Sequence, residues 1–318
     1  MPPPTLSIVS PPISPISSKT LLAFAAIYVI WGTTYLAIAI GIQTIPPFIS
    51  GALRFFLASG LLYAYLRMRD AQPFAGVNLK RGALCGVLMA GIGNGFVIWA
   101  EQGVPTGIAA LIVASTPIAV LVLDWAFFGK QAPTRQALGG ILLALFGVML
   151  IVIHTGSLSG NAHPIHLAAL IISVSAWSLG TLVQQHTPTT NRIMAFACVQ
   201  MFWAALFQTA LALLNNEWPL FDAAHVSWQS LAAVLYLVVF GSLVALGCYL
   251  WLLTHVSAQK VVTYALVNPV VALLLGSLIL GEHISWFAVV SAGMVLTGVA
   301  LVLFQKSATA MQAKVVEQ

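Results

Sequence analysis

Charge is what this sequence has least of. Only 6% of its 318 residues are charged, 12 Lys/Arg against 7 Asp/Glu, while 60% are apolar. A soluble domain carries roughly 25% charged residues. So few cannot coat a water-facing surface, and the solvent must be lipid. Cysteine is also scarce: Cys85, Cys198 and Cys248 lie in apolar runs, with no CxxC spacing and no histidine at ligand spacing. They read as small buried hydrophobes, and neither a disulfide framework nor a metal site is indicated. HExxH and GxSxG patterns are absent, and His154, His163, His166, His186, His225, His255 and His283 fall at the ends of apolar runs or between them. An intramembrane enzyme would need a nucleophile–base pair or metal ligands at depth, so that class is set aside. No soluble module is present to serve a sensor or scaffold. The net charge of +5 comes from basic residues scattered between apolar runs, which make no groove for nucleic acid. No cofactor is called for.

What is present is a series of apolar runs. A membrane-spanning helix needs about 20 mostly apolar residues. Ten such runs occur, at 20–41, 47–67, 82–100, 106–128, 136–153, 165–186, 190–214, 229–253, 258–280 and 285–305. The predicted class is therefore all-α and polytopic, with ten transmembrane helices. Residues 1–19 hold six prolines and read as a disordered tail; 306–318 form a second tail. With the N-terminus placed in the cytoplasm, eleven of the twelve basic residues fall on the inside, from Lys19 to Lys314. The outside loops then hold Glu101, Glu217, Asp222 and Glu282 and no Lys or Arg. This separation predicts an even number of spans with both termini cytoplasmic.

The two halves repeat. Gly95, Trp99, Val104, Pro117, Leu121 and Gly129 are matched 152 residues later by Gly247, Trp251, Val256, Pro269, Leu273 and Gly281; Trp31 meets Trp177 at an offset of 146. Five helices per repeat is an odd number, so the second copy enters from the opposite side. The predicted repeats are 20–154 and 164–305. Inverted repeats are a recurring plan of secondary transporters, with the site near the midplane between the halves.

Several residues stand out at that depth. Pro117 and Pro269 fall mid-span at matching places, where proline frees the carbonyls of Val113 and Ala265. Such breaks line cavities and permit bending, so both are candidates for gating. Trp31 and Trp177 are also mid-span, whereas interfacial tryptophans belong at span ends; a buried indole needs a partner or a cavity. Asn94, Thr116, Tyr264 and Asn268 bring hydrogen-bonding groups to the same depth, with Ser173, Ser175, Thr33 and Gln200 as weaker candidates. These can glue helices together or face a wet path. Arg54 lies inside the second span, where a charge is paired or functional. Glu101 is its natural partner in an intramembrane charge pair; contact with a substrate carboxylate is a second reading. No carboxylate sits at the midplane, so a facilitator and proton coupling through an edge group such as Glu101 both stay open.

Short strings complete the picture: Trp31-Gly32-Thr33-Thr34-Tyr35, Pro46-Pro47 before Leu53-Arg54-Phe55, Gly93-Asn94-Gly95 with Ala100-Glu101, residues 104–110 (VPTGIAA), residues 264–271 (YALVNPVV) and Gly281-Glu282. In this order and spacing the chain resembles EamA-type members of the drug/metabolite transporter superfamily, in particular YedA-like bacterial inner-membrane exporters. The resemblance covers nearly the whole chain after residue 20. Lys130 departs from it, standing where the first repeat's counterpart of the Gly-Glu pair would have the acid. The resemblance implies two EamA repeats, a central cavity and export of metabolites, amino acids or drugs by alternating access. The expected substrate contacts are Trp31, Asn94, Trp177, Tyr264 and Asn268. The expected partners are a small-molecule substrate and the bilayer, with a second copy of the chain left open. A facilitator or importer of a neutral metabolite is the alternative function, and a non-transporting sensor a remote one.

Overall fold

A computed structural model describes residues 17–129, 132–158, 164–187 and 192–304. Most of both expected tails and Lys130 lie outside these residues. Ten long helical segments follow one another: α1 (Ser18–Gly41), α2 (Pro47–Arg69), α3 (Leu79–Ala100), α4 (Thr106–Phe128), α5 (Arg135–Leu158), α6 (Pro164–Gln185), α7 (Ile193–Leu214), α8 (Trp228–Leu253), α9 (Ala258–Leu280) and α10 (Trp286–Leu303). Nine are long and apolar enough to cross a membrane, and α5 carries a shorter apolar stretch, Arg135–Ile151. No strand occurs among the described residues.

Local chemistry sets the helix ends. Ser17, Asn78, Ser227 and Ser285 each accept a backbone N–H of the first turn of α1, α3, α8 and α10. α1 therefore begins at Ser18, two residues inside the expected tail. Pro47 opens α2, where its missing N–H costs nothing. Gly129 and Gly281, a matched pair in the repeat, close α4 and α9 with φ of 73° and 69°, a backbone that favours glycine.

Hydrogen bonds between loops sort the connections into two ends. Ser227 N–H donates to Thr44 Oγ1 at 3.1 Å, and Ile49 N–H to Glu217 Oε2 at 3.0 Å, joining the α1–α2 and α7–α8 connections. Thr106 N–H donates to Glu282 Oε1 at 2.8 Å, joining α3–α4 to α9–α10. These connections form an acidic end. At the opposite, basic end Arg192 pairs with Asp70 at 2.7 Å, joining α6–α7 to α2–α3.

Helix packing follows an exchange rule. α2 lies along α7, α5 along α10, and α4 against α9; α1 packs on α8 and α9 as α6 packs on α3 and α4. Exchanging each helix for the one five places later leaves this pattern unchanged. Small residues permit the closest approaches. A Cβ on Gly86 of α3 would stand 2.3 Å from the Gln200 carbonyl oxygen of α7. Gly140 and Gly298 face each other across α5 and α10, where a Cβ on either would reach the other's carbonyl oxygen at 2.6 and 2.4 Å. In lipid, where burial gives no special drive to helix pairing, such close packing is what holds spans together.

Candidate functional site

Two pairs of local irregularities shape the middle of the bundle. The first is a widened, π-helical stretch in α3 (Gly86–Asn94) and in its counterpart α8 (Leu237–Leu246). Such turns are rare and concentrate at functional sites, because they disturb the regular carbonyl ladder. Here other helices use the disturbed carbonyls: Ser173 Oγ of α6 donates to Gly93 O at 2.5 Å, and Trp31 Nε1 of α1 donates to Gly241 O at 3.3 Å. The second pair is the proline breaks. α4 is interrupted at Ala114 and Ser115 and restarts at Thr116, with Pro117 in its new first turn. The Val113 carbonyl, freed as expected, accepts Thr116 Oγ1 at 2.6 Å. α9 tightens into a 3-10 turn (Val262–Leu266) and restarts at Asn268–Pro269. With its amide nitrogen set by the surrounding acceptors, Asn268 donates to the carbonyls of Tyr28 and Tyr264, at 3.3 and 3.2 Å.

Between these irregularities lies a cavity of about 70 Å³, lined by residues of α1, α2, α3, α4, α6, α8 and α9. All five expected contact residues line it: Trp31, Asn94, Trp177, Tyr264 and Asn268. Pockets for drug-sized ligands run to roughly 300–1,000 Å³, so this conformation is constricted around the site. Pro117 and Pro269 are absent from the lining and stand one residue beyond Thr116 and Asn268, which belong to it.

One wall is aromatic. Trp31 is the hub: its ring centroid lies 5.5 Å from Trp177, 4.8 Å from Tyr264 and 5.0 Å from Tyr249. Tyr249 is fully buried and shares a hydrogen bond with the Thr181 hydroxyl at 2.6 Å. The buried Trp177 N–H stands beside the Tyr249 and Tyr264 hydroxyls without closing a hydrogen bond of its own.

The other wall is cationic. Arg54 is 3% exposed. Its Nε donates to Ser242 Oγ at 2.8 Å and its Nη1 to Asn94 Oδ1 at 3.1 Å, while its guanidinium carbon lies 4.8 Å from the Phe55 ring centroid. The Arg54–Glu101 pair expected from the sequence is not formed. Asn94, which holds the guanidinium, precedes Glu101 by seven residues, about 10 Å of helix rise, and the side chain spends its reach on α3 and α8 instead. Both oxygens of Glu101 are buried without a hydrogen-bond partner. The guanidinium is thus held by neutral groups, with no carboxylate among its hydrogen-bond partners.

Sequence reasoning missed Tyr249, Tyr35, Thr34 and Ser242. A mid-span tyrosine is as costly to bury unpartnered as a mid-span tryptophan, so Tyr249 carried the signal by which Trp31 was found. Ser242 carried none. Thr116 also lines the cavity, as does Ser173 among the weaker candidates. Gln200 donates to Gln184 Oε1 at 2.6 Å and joins α6 to α7. Thr33 bonds the Tyr236 hydroxyl at 2.6 Å, and Ser175 turns back on its own helix to Ile171 O.

Comparison with known proteins follows the same outline. The EamA-like transporter family matches residues 18–153 and again 164–304. An uncharacterized inner membrane transporter of Escherichia coli K12, YedA, is 34% identical over 285 residues, covering 89% of this chain and 90% of its own. A probable amino-acid metabolite efflux pump of the same organism is 24% identical over 87% of this chain and 92% of its own. Protein PagO of Salmonella typhimurium is 26% identical over 90% and 93%. A solved crystal structure superposes with a TM-score of 0.61 over 96% of this chain and 100% of its own; at 17% identity it speaks for the fold alone.

Proposed function

The chain belongs to the EamA-like transporter family and is a multi-pass inner-membrane transporter rather than an enzyme, and from that premise we propose that it exports small carboxylate-bearing metabolites, amino acids foremost, by alternating access. The observation that carries this reading is Arg54. A cation in the cavity wall, held by Ser242 and Asn94 and by no carboxylate, leaves its charge for a ligand. A substrate carboxylate would complete it with charge-assisted hydrogen bonds. Trp31, Trp177 and Tyr264 would cover the apolar part or an ammonium group, since aromatic faces accept both. Asn94 would position the guanidinium, and Asn268 would hold the turn of α9 from which Tyr264 projects. Among the metabolites, amino acids and drugs that the resemblance implies, the placement of Arg54 supports amino acids.

Pro117 and Pro269 would be the hinges, each beginning the half-helix beyond its break. The repeats 20–154 and 164–305 would move against each other, with both termini in the cytoplasm, an orientation the distribution of basic residues supports. Outward direction rests on the relative whose name describes an efflux pump. Counterflow in proteoliposomes tests the reading with a panel of amino acids, their carboxamides and lipophilic amines. The expected result is exchange of amino acids and loss of exchange when the carboxylate becomes a carboxamide. Equal exchange of acid and amide overturns the assignment to Arg54. No exchange of any solute in the panel overturns the carrier reading.

A further inference from the structure

α3 ends against the acidic end in Glu101, one turn past Val97, which lines the cavity; the Glu101 N–H donates to the Val97 carbonyl at 3.1 Å. Both oxygens of its carboxyl group are buried and neither meets a donor. The neighbouring acid is the opposite case. Glu282 accepts Thr106 N–H at 2.8 Å and Thr106 Oγ1 at 3.0 Å, capping α4. The residue before it, Ala100, belongs to a buried apolar cluster with Ile38, Ile98, Val104, Ile112, Leu167 and Leu170.

The titratable groups facing Glu101 are few. From α1 comes the Tyr35 phenol, within electrostatic reach and itself part of the cavity wall. From the α9–α10 connection comes Glu282, a like charge. Nearby on α6, His166 lies against Trp99, 4.6 Å between ring centroids, and over Gly103. α2 presents Phe48, stacked on Trp99 at 6.5 Å. Among the described residues no Lys or Arg acts on Glu101. An ionised carboxylate here would have neither water nor a hydrogen-bond donor, and no Lys or Arg to balance it, so this closed arrangement favours the protonated acid.

We propose that Glu101 is the binding site of the coupling proton. When the acidic end parts, water reaches the carboxylate and it ionises; closing over it requires one proton, taken from the water on that side. When the cavity opens toward the basic end, the acid meets water past Tyr35 and releases the same proton there. One proton enters at one face and one leaves at the other, and no other bond changes. The inference rests on the alternating-access reading above. It supplies what the midplane lacks, a carboxyl group, one turn beyond the cavity wall at Val97.

Reaction with N,N′-dicyclohexylcarbodiimide tests the protonation directly, since that apolar reagent adds to protonated carboxyl groups in apolar surroundings. The full chain in lipid nanodiscs is treated at pH 6, 7 and 8 and mapped by peptide mass spectrometry. Labelling of Glu101 at pH 7, with Glu217 and Glu282 spared, is the expected result. An unlabelled Glu101 at pH 7 overturns the proposal, because an ordinary glutamate is already ionised above about pH 4.3. The switch is read separately by the distance between spin labels at Gln102 and Ala224, both on exposed connections of the acidic end, in a chain whose three cysteines are replaced. The wild-type distance should lengthen as pH rises, and E101Q should hold the short distance at every pH. A pH-independent wild type, or an E101Q that still follows pH, rules the switch out. Counterflow without labelling removes only the proton site; labelling without counterflow removes the carrier.

Discussion

The rings of Trp31 and Trp177 meet edge to face, 5.5 Å between centroids and 83° between planes. Each comes from the first helix of its own half, so the contact lies on the seam between the repeats. A seam that opens and closes must break or re-form this contact, and the cavity wall goes with it.

Trp177→Ala should reduce counterflow at least tenfold while leaving expression and gel-filtration behaviour unchanged. An edge-to-face pair contributes about 0.5–1.5 kcal/mol beyond burial, too little to unfold a ten-helix bundle but enough, with the lost wall, to impair the site. Trp177→Phe keeps the ring pair and should keep most of the transport. Asn268→Ala should also stop transport, since it strips the donor from the Tyr28 and Tyr264 carbonyls. Wild-type counterflow from both alanine variants would remove this pair from the site.

Arg54→Lys should lower exchange of carboxylate solutes by roughly 10- to 100-fold, the equivalent of one hydrogen bond to a charged group at about 1.5–3 kcal/mol. Lysine keeps the charge but cannot bridge Ser242 and Asn94 in one plane. Any residual exchange of uncharged analogues should be unaffected. A uniform fall across both solute classes, seen in the same counterflow assay, would assign Arg54 to structure alone.

Glu217→Gln and Glu217→Ala should behave differently as pH changes. Glu217 caps α2 through the Ile49 N–H and accepts Asn215 Nδ2 at 3.1 Å. Burial raises its carboxyl above the usual range, partly offset by hydrogen bonds from Asn215 and from the Ile49 and Phe48 amides. With the folded value raised, its linkage contribution is present below the unfolded value of about 4.3 and is lost as pH rises through the folded one. Glutamine keeps an acceptor and cannot titrate. Its melting temperature should therefore gain on wild type as pH rises through that window. Alanine loses the cap, about 0.5–2 kcal/mol, and should melt lower throughout. Parallel melting curves for wild type and Glu217→Gln would sink this account.

Gly86→Val should cost expression or melting temperature, because its Cβ meets backbone of α7 that cannot retreat; overpacking of this kind costs about 1–3 kcal/mol or more. Gly60→Ala is the control, since a Cβ there meets nothing within 4 Å. Equal melting of the two variants would refute the close approach of α3 and α7.

Much of this was legible in the sequence. Ten helical segments appeared within a few residues of their expected bounds, because span length and turn residues are written locally. Trp31, Asn94, Trp177, Tyr264 and Asn268 converge on one cavity, because polar and aromatic groups at mid-depth have few other places to go. The destination of Arg54 was not legible. Glu101 was its visible opposite charge, but Ser242, an ordinary serine 188 residues away, is its partner. Packing decides such a choice, and no local pattern announces it. The π-helical stretches were hidden for the same reason: in apolar sequence, one extra residue per turn leaves no mark.

Glu217 and Glu282 both belong to the second half, yet both cap helices of the first, α2 and α4. A nascent chain therefore delivers α2 and α4 without these caps, their leading amides met by water alone. They stay so until the ribosome has made the α7–α8 and α9–α10 connections, more than a hundred residues later. The first half thus completes these two helix starts only once the second is inserted, each cap being worth about 0.5–2 kcal/mol.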